Sequence, residues 1–200
     1  MNVATDKTVD FYWDIGSTNS YFALHLIKPI VARHQAQLVM HPFNLGYVFR
    51  HHNYTLMKEP PAKLRNRGRD LARWAERYDL AFRMPDEFPI KTSRALRGAL
   101  AMRTWNKEMD YIDALFARYW EQNDAGVANY PVLREIASSL GVDADAFEAQ
   151  AESEPIKSAL IDSTNNALDL GVFGAPSFLI DGELYWGKDR MEFVEDALRG

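Results

Sequence analysis

The sequence predicts an α/β fold in which the two ends of the chain build one small sheet and a large all-helical insertion separates them. Three observations carry this. Near the N-terminus, two runs of β-branched and aromatic residues flank an apolar stretch of helical period. Near the C-terminus, two short apolar runs flank Asp181-Gly182. Between Tyr47 and Leu170 the period is helical throughout and no convincing strand is present.

The first strand is predicted over Val9-Asp10-Phe11-Tyr12-Trp13-Asp14. Gly16 to Ser20 is a turn-and-cap cluster, and a helix is expected from Tyr21 to His34, with Phe22, Leu26, Ile30 and Val31 at helical spacing and Pro29 as a point of kinking. Gln37 to Phe43 is the second strand. A helix joins the two, so they should lie parallel in a right-handed crossover. Helices follow over Pro61–Tyr78, Lys91–Trp105, Met109–Gln122, Tyr130–Leu140 and Ala144–Asp169, the last broken near Glu154-Pro155. Asp143 is the expected N-cap after the stop at Gly141. Asp181-Gly182 is a type I′ hairpin signal, because that turn needs positive φ at both central residues. A final helix, Lys188–Leu198, is expected to bury Met191, Phe193, Val194 and Leu198. The expected organisation is a sheet-forming domain in two parts, residues 1–46 and 171–200, around a helical domain, residues 47–170.

Composition narrows the chemistry. The 200 residues contain no cysteine, which excludes disulfides, thiolate metal sites and dithiol redox catalysis. A net charge of −5 argues against general nucleic-acid binding, which needs a broad basic surface. The stretch from Met1 to Lys7 is too polar for a leader, and no run is long enough to span a membrane, so a cytoplasmic protein is expected. His41, His51 and His52 have no metal-ligand spacing, and no metal is expected.

The run Gly171-Val172-Phe173-Gly174-Ala175-Pro176-Ser177-Phe178 opening an apolar strand resembles the cis-proline loop of thioredoxin-type folds. The expected fold is therefore thioredoxin-like, with the large all-helical insertion. In that fold the loop faces the start of the first helix, where a redox cysteine would sit; here the residue is Ser17. A helix N-terminus stabilises an anion, so Ser17 can hold a thiolate supplied by a ligand, or simply cap the helix. If the resemblance holds, the bond before Pro176 is cis and leaves the N–H and C=O of Ala175 free to pair with an extended peptide such as glutathione; the alternative is a proline that only begins an edge strand. Asp189 either caps the last helix or receives the α-amino group of a γ-glutamyl ligand. Arg65, Arg69, Arg73 and Arg77 read as a solvated helix face, whereas Lys63 and Arg67 could reach a ligand carboxylate.

Taken together, the chain resembles the 2-hydroxychromene-2-carboxylate isomerase family, within the DsbA-like and kappa-class glutathione transferase group. Phe11-Tyr12-Trp13-Asp14-Ile15-Gly16-Ser17-Thr18-Asn19-Ser20-Tyr21 is similar to the family's F-Y-F-D-x-x-S-P-x-S-Y opening, with Thr18 in place of the proline. Pro61-Ala62-Lys63 with Asp70-Leu71-Ala72-Arg73-Trp74-Ala75, Phe88-Pro89 and the segment from Gly171 to Met191 extend the resemblance, and Lys91 stands where the family has asparagine, which by the resemblance alters the charge near the substrate pocket. The resemblance implies glutathione as cofactor and a homodimer. It implies Ser17 as the hydroxyl that holds the thiolate, with Ala175, Pro176, Lys188 and Asp189 binding the tripeptide and Asn53 and Lys63 as further contacts. The implied partner is an unsaturated aromatic carboxylate or another electrophile, isomerised through transient thiolate addition. A kappa-class-like transferase and a non-catalytic glutathione- or peptide-binding module are the competing readings.

Overall fold

A computed structural model describes residues 6–55 and 58–199. The part of the polar N-terminal stretch that precedes Asp6, on which the expectation about a leader rests, lies outside them. The sheet has four strands: β1 (Thr8–Trp13), β2 (Gln37–Pro42), β3 (Ser177–Ile180) and β4 (Glu183–Trp186). Their order is β2-β1-β3-β4, with β1 parallel to β2 and antiparallel to β3. The β3–β4 hairpin turns at Asp181 (φ 51°) and Gly182 (φ 84°), the positive values that a type I′ turn requires. This is a thioredoxin-like fold.

Helix α1 (Thr18–His34) joins β1 to β2 and runs through Pro29. It starts three residues before the predicted Tyr21, because the Ser17 hydroxyl accepts from Ser20 N at 3.2 Å and turns the polar cluster into a first helical turn. Helix α2 (Leu45–His51) is not among the elements expected from the sequence. It is short and contains Gly46; the Asn44 side chain accepting from Tyr47 N and the burial of Leu45 and Val48 hold it. Helices α3 (Pro61–Arg77), α4 (Ser93–Met102), α5 (Glu108–Trp120), α6 (Tyr130–Ser139), α7 (Ala144–Ala151) and α8 (Glu154–Asp169) follow, with Asp143 capping α7. Helix α4 begins at Ser93 rather than Lys91, since the Thr92 hydroxyl bonds Asp14 and provides no cap. The last helix opens as a 3-10 turn, Lys188–Arg190, before α9 (Met191–Arg199). Phe193 is exposed, contrary to expectation. Val194 and Leu198, four apart, define the buried stripe and leave Phe193 outside it.

Alternation along β1 divides the core. Val9, Phe11 and Trp13 point to one face, joining Phe22 and Ile27 of α1, Leu96 of α4, Phe116 of α5 and Val194 of α9. Tyr12 points to the other face, with Phe43, Val48, Ala167 and Val172. Most of the helical segment shares the first cluster, so Trp13 packs directly on Phe116, ring centroids 5.5 Å apart.

Candidate functional site

The site forms where β1 ends. Ser17 is 7% exposed, caps α1 with extended backbone, and donates its hydroxyl to Ala175 O at 2.8 Å. The bond between Ala175 and Pro176 is cis. Contrary to the expectation that both backbone groups of Ala175 are free, the carbonyl already accepts the Ser17 hydroxyl. Among the described residues the Ala175 N–H has no protein acceptor.

Asp14, three residues before Ser17, is 2% exposed, and no role is expected for it from the sequence. Its carboxylate accepts from Gly16 N at 2.8 Å, Leu45 N at 2.9 Å and the Thr92 hydroxyl at 3.2 Å, joining the approach to α1, the start of α2 and the residue before α4. Burial outweighs these bonds and pushes its pKa up to about 6. The only signal in the sequence is a carboxylate directly after the apolar Phe11-Tyr12-Trp13 end of the strand, two residues before a glycine. From α5, Trp120 Nε1 donates to Ile15 O at 2.9 Å and the Tyr119 hydroxyl to Glu87 O at 2.9 Å, pinning the loops on both sides.

Beside Ser17 lies a cavity of about 580 Å³, whose wall includes Asp14 and Gly16. Leu45, Phe49, Phe88, Pro89 and Ile90 supply apolar surface, and Arg50, Lys91, Arg94 and Arg97 supply positive charge. A pocket of this size with apolar walls and a few polar groups suits a small organic ligand.

The structure brings Ser17, Ala175 and Pro176 together; they do not themselves line the cavity, which reaches them through Gly16, and the other candidates do not line it either. Lys188 is buried, its ammonium 4.4 Å from the Trp74 ring centre and 3.9 Å from Asp70; burial lowers its pKa. It therefore faces α3. Asp189 is exposed and pairs with Arg190 at 2.7 Å. Asn53, with φ 53°, follows α2 and is exposed; Lys63, in the first turn of α3, pairs with Glu59 at 2.9 Å. Neither lines the cavity. Arg67 also pairs with Glu59. Arg65, Arg69, Arg73 and Arg77 are solvated.

A family model for a DSBA-like thioredoxin domain matches residues 8–199. The chain is 28% identical over 201 residues to a 2-hydroxychromene-2-carboxylate isomerase of Sphingobium xenophagum, covering 96% of this chain and 98% of that one. It is 24% identical over 209 residues to glutathione S-transferase kappa 1 of Caenorhabditis elegans, covering 96% and 90%. Among solved structures, a 2-hydroxychromene-2-carboxylate isomerase superposes with a TM-score of 0.84 at 24% identity, covering 96% of this chain and 94% of that one. Among the described residues, no helix is long and apolar enough to cross a membrane.

Proposed function

Since the chain belongs to the DSBA-like thioredoxin domain family, we propose that it is a glutathione-dependent cis–trans isomerase of the 2-hydroxychromene-2-carboxylate isomerase type, acting on an unsaturated aromatic carboxylate. One observation carries this reading. A buried hydroxyl, Ser17, sits at the positive end of a 17-residue helix, 2.8 Å from the carbonyl that precedes a cis-proline, in a chain without cysteine. The isomerase and transferase relatives support it.

The residues present fit glutathione. The hydroxyl and helix end of Ser17 suit a thiolate, the Ala175 backbone suits an extended peptide, and the exposed Asp189 carboxylate suits an ammonium that displaces Arg190. When bound, glutathione supplies a thiolate that can add to a conjugated double bond and later leave it, so the bond rotates while it is single. The chain's part is electrostatic and positional. In the free protein Ser17 spends its proton on Ala175 O. A peptide N–H delivered to that carbonyl takes over the bond, and the hydroxyl is released to turn toward sulfur. Phe49, Phe88 and Ile90 exclude water from the electrophile, and the cations of the cavity hold its carboxylate.

The test is turnover of 2-hydroxychromene-2-carboxylate with and without glutathione, beside conjugation of a chloronitrobenzene. Glutathione-dependent isomerisation is expected. Conjugation without isomerisation would instead assign a kappa-class-like transferase, the reading that the Caenorhabditis elegans relative favours. Glutathione binding without either turnover would leave a binding module. The homodimer implied by the family resemblance is likewise proposed, and equilibrium sedimentation tests it.

A further inference from the structure

The cavity beside Ser17 is charged beyond the needs of one carboxylate. Its wall carries Arg50, Lys91, Arg94 and Arg97 against a single acid, Asp14. Asp14 is buried and already accepts from two backbone N–H groups and the Thr92 hydroxyl. Arg97 is neutralised by Glu152 at 2.6 Å. The other three are not. Arg94 has only neutral partners, Asn129 Oδ1 at 3.0 Å and the Tyr130 ring. Arg50 has the Tyr47 ring, 6.0 Å away, and Lys91 has no partner among the described residues.

Across the molecule acids outnumber cations, 28 to 23, and many cations find them: Arg118 meets Asp124 and Glu135, and Lys157 meets Glu152 and Glu154. Arg65, Arg69 and Arg77, which have no acidic partner among the described residues, lie on the exposed face of α3 and line no part of this cavity. Helix geometry accounts for one of the three cavity cations. Arg50 lies in the last turn of α2, where a cation is favourable, but Lys91 and Arg94 flank the start of α4, the end at which a cation is disfavoured and where the first turn has no acid. Three cations without an acidic partner, each on a solvent-exposed residue, make the mouth of the site electropositive and favour an anion there. They come from three walls: α2, the loop following Pro89, and α4. One carboxylate satisfies one guanidinium, or bridges two neighbouring groups. The surface between them is apolar, from Phe49, Phe88 and Ile90, which suits a flat unsaturated body rather than a bare phosphate.

We infer that the electrophile bound in this cavity carries two carboxylates on an unsaturated, flat framework, held by Arg50, Lys91 and Arg94. The inference rests on the isomerase reading only for the word electrophile; the charge of the ligand is read from the cavity itself. Lys91 and Arg50 are then specificity-determining residues, selecting a dianion over a monoanion.

Unreactive probes test this without turnover. The full chain is titrated calorimetrically with benzoate and with phthalate, isophthalate and terephthalate. The expected result is that at least one dicarboxylate binds about tenfold or more tightly than benzoate, in keeping with one added charge-assisted contact. That advantage should shrink as salt is raised and fall toward unity in Lys91→Gln and Arg50→Gln. Equal binding of benzoate and all three dicarboxylates overturns the inference, as does a preference that is insensitive to salt and survives both substitutions. A separate glutathione titration of the wild-type protein keeps the two readings apart. Loss of the glutathione signal with the dicarboxylate preference intact refutes the isomerase and leaves the cavity assignment standing; the reverse pattern refutes only the dianion.

Discussion

Asp14 and Ser17 lie three positions apart and do opposite things with a proton. Ser17 donates one to Ala175 O, whereas Asp14 collects three donors on a buried carboxylate. Because burial raises the Asp14 pKa to about 6, the folded state favours its protonated form relative to the unfolded chain. The associated stabilisation is therefore complete below the ordinary carboxyl pKa and is lost as pH rises through about 6, which amounts to about 3 kcal/mol by pH 7. Asparagine has one acceptor oxygen and cannot serve both Gly16 N and Leu45 N. Asp14→Asn should thus destabilise the protein, and its deficit relative to wild type should be larger at about pH 5 than at about pH 7 in denaturant melts. A deficit independent of pH would show that Asp14 does not titrate in this range. Asp14 illustrates what the sequence conceals at this scale: its donors belong to three segments that meet only after folding, whereas Ser17 is legible from its position between strand and helix.

Elements are legible where their signals are local. The Asp181-Gly182 turn, the Asp143 cap and the break near Pro155 each rest on residues adjacent in sequence. Helix α2 is not, because its burial depends on Phe43 and Val172, the latter from a distant segment. Phe193 is apolar, but its angle on α9 turns it away from the stripe set by Val194 and Leu198. Packing between helices decides how substitutions behave. In α4, Gly98 faces the Tyr111 ring of α5 and Phe147 of α7; a Cβ there would lie 2.7 Å from Tyr111 Cζ and 3.0 Å from Phe147 Cζ. Gly98→Ala should cost about 1–3 kcal/mol through overpacking. Gly68, on the exposed side of α3, has nothing within 4 Å of where an alanine methyl would stand, so Gly68→Ala should stabilise by about 0.5–1 kcal/mol. Urea melts of the two variants check both signs, and equal effects would contradict the packing assigned to α4.

At the scale of the whole molecule, a sheet built from both chain ends brings Ser17 of the first segment to Ala175 of the last, 158 positions later, and the helices between them supply the cavity. The fold is readable because strand period, hairpin and cis-proline loop agree with one another. The Ser17 and Ala175 part of the candidate site is readable for the same reason. The cavity is legible only at Lys91, which the family resemblance sets near the substrate pocket; Arg50 and Arg94 lie in a helix that the sequence hides and in another helix, and nothing local ties them to Ser17. We propose that this scaffold, having no thiol of its own, holds a borrowed one as thiolate at Ser17. The most direct test is a pH titration of the ultraviolet thiolate absorbance of glutathione bound to wild type and to Ser17→Ala. A bound thiol with a lowered pKa is expected in the wild type, raised by about one to two units in the variant, the worth of one hydrogen bond to a charged group. Absence of glutathione binding at millimolar concentration, or an unchanged thiolate titration in Ser17→Ala, would contradict it.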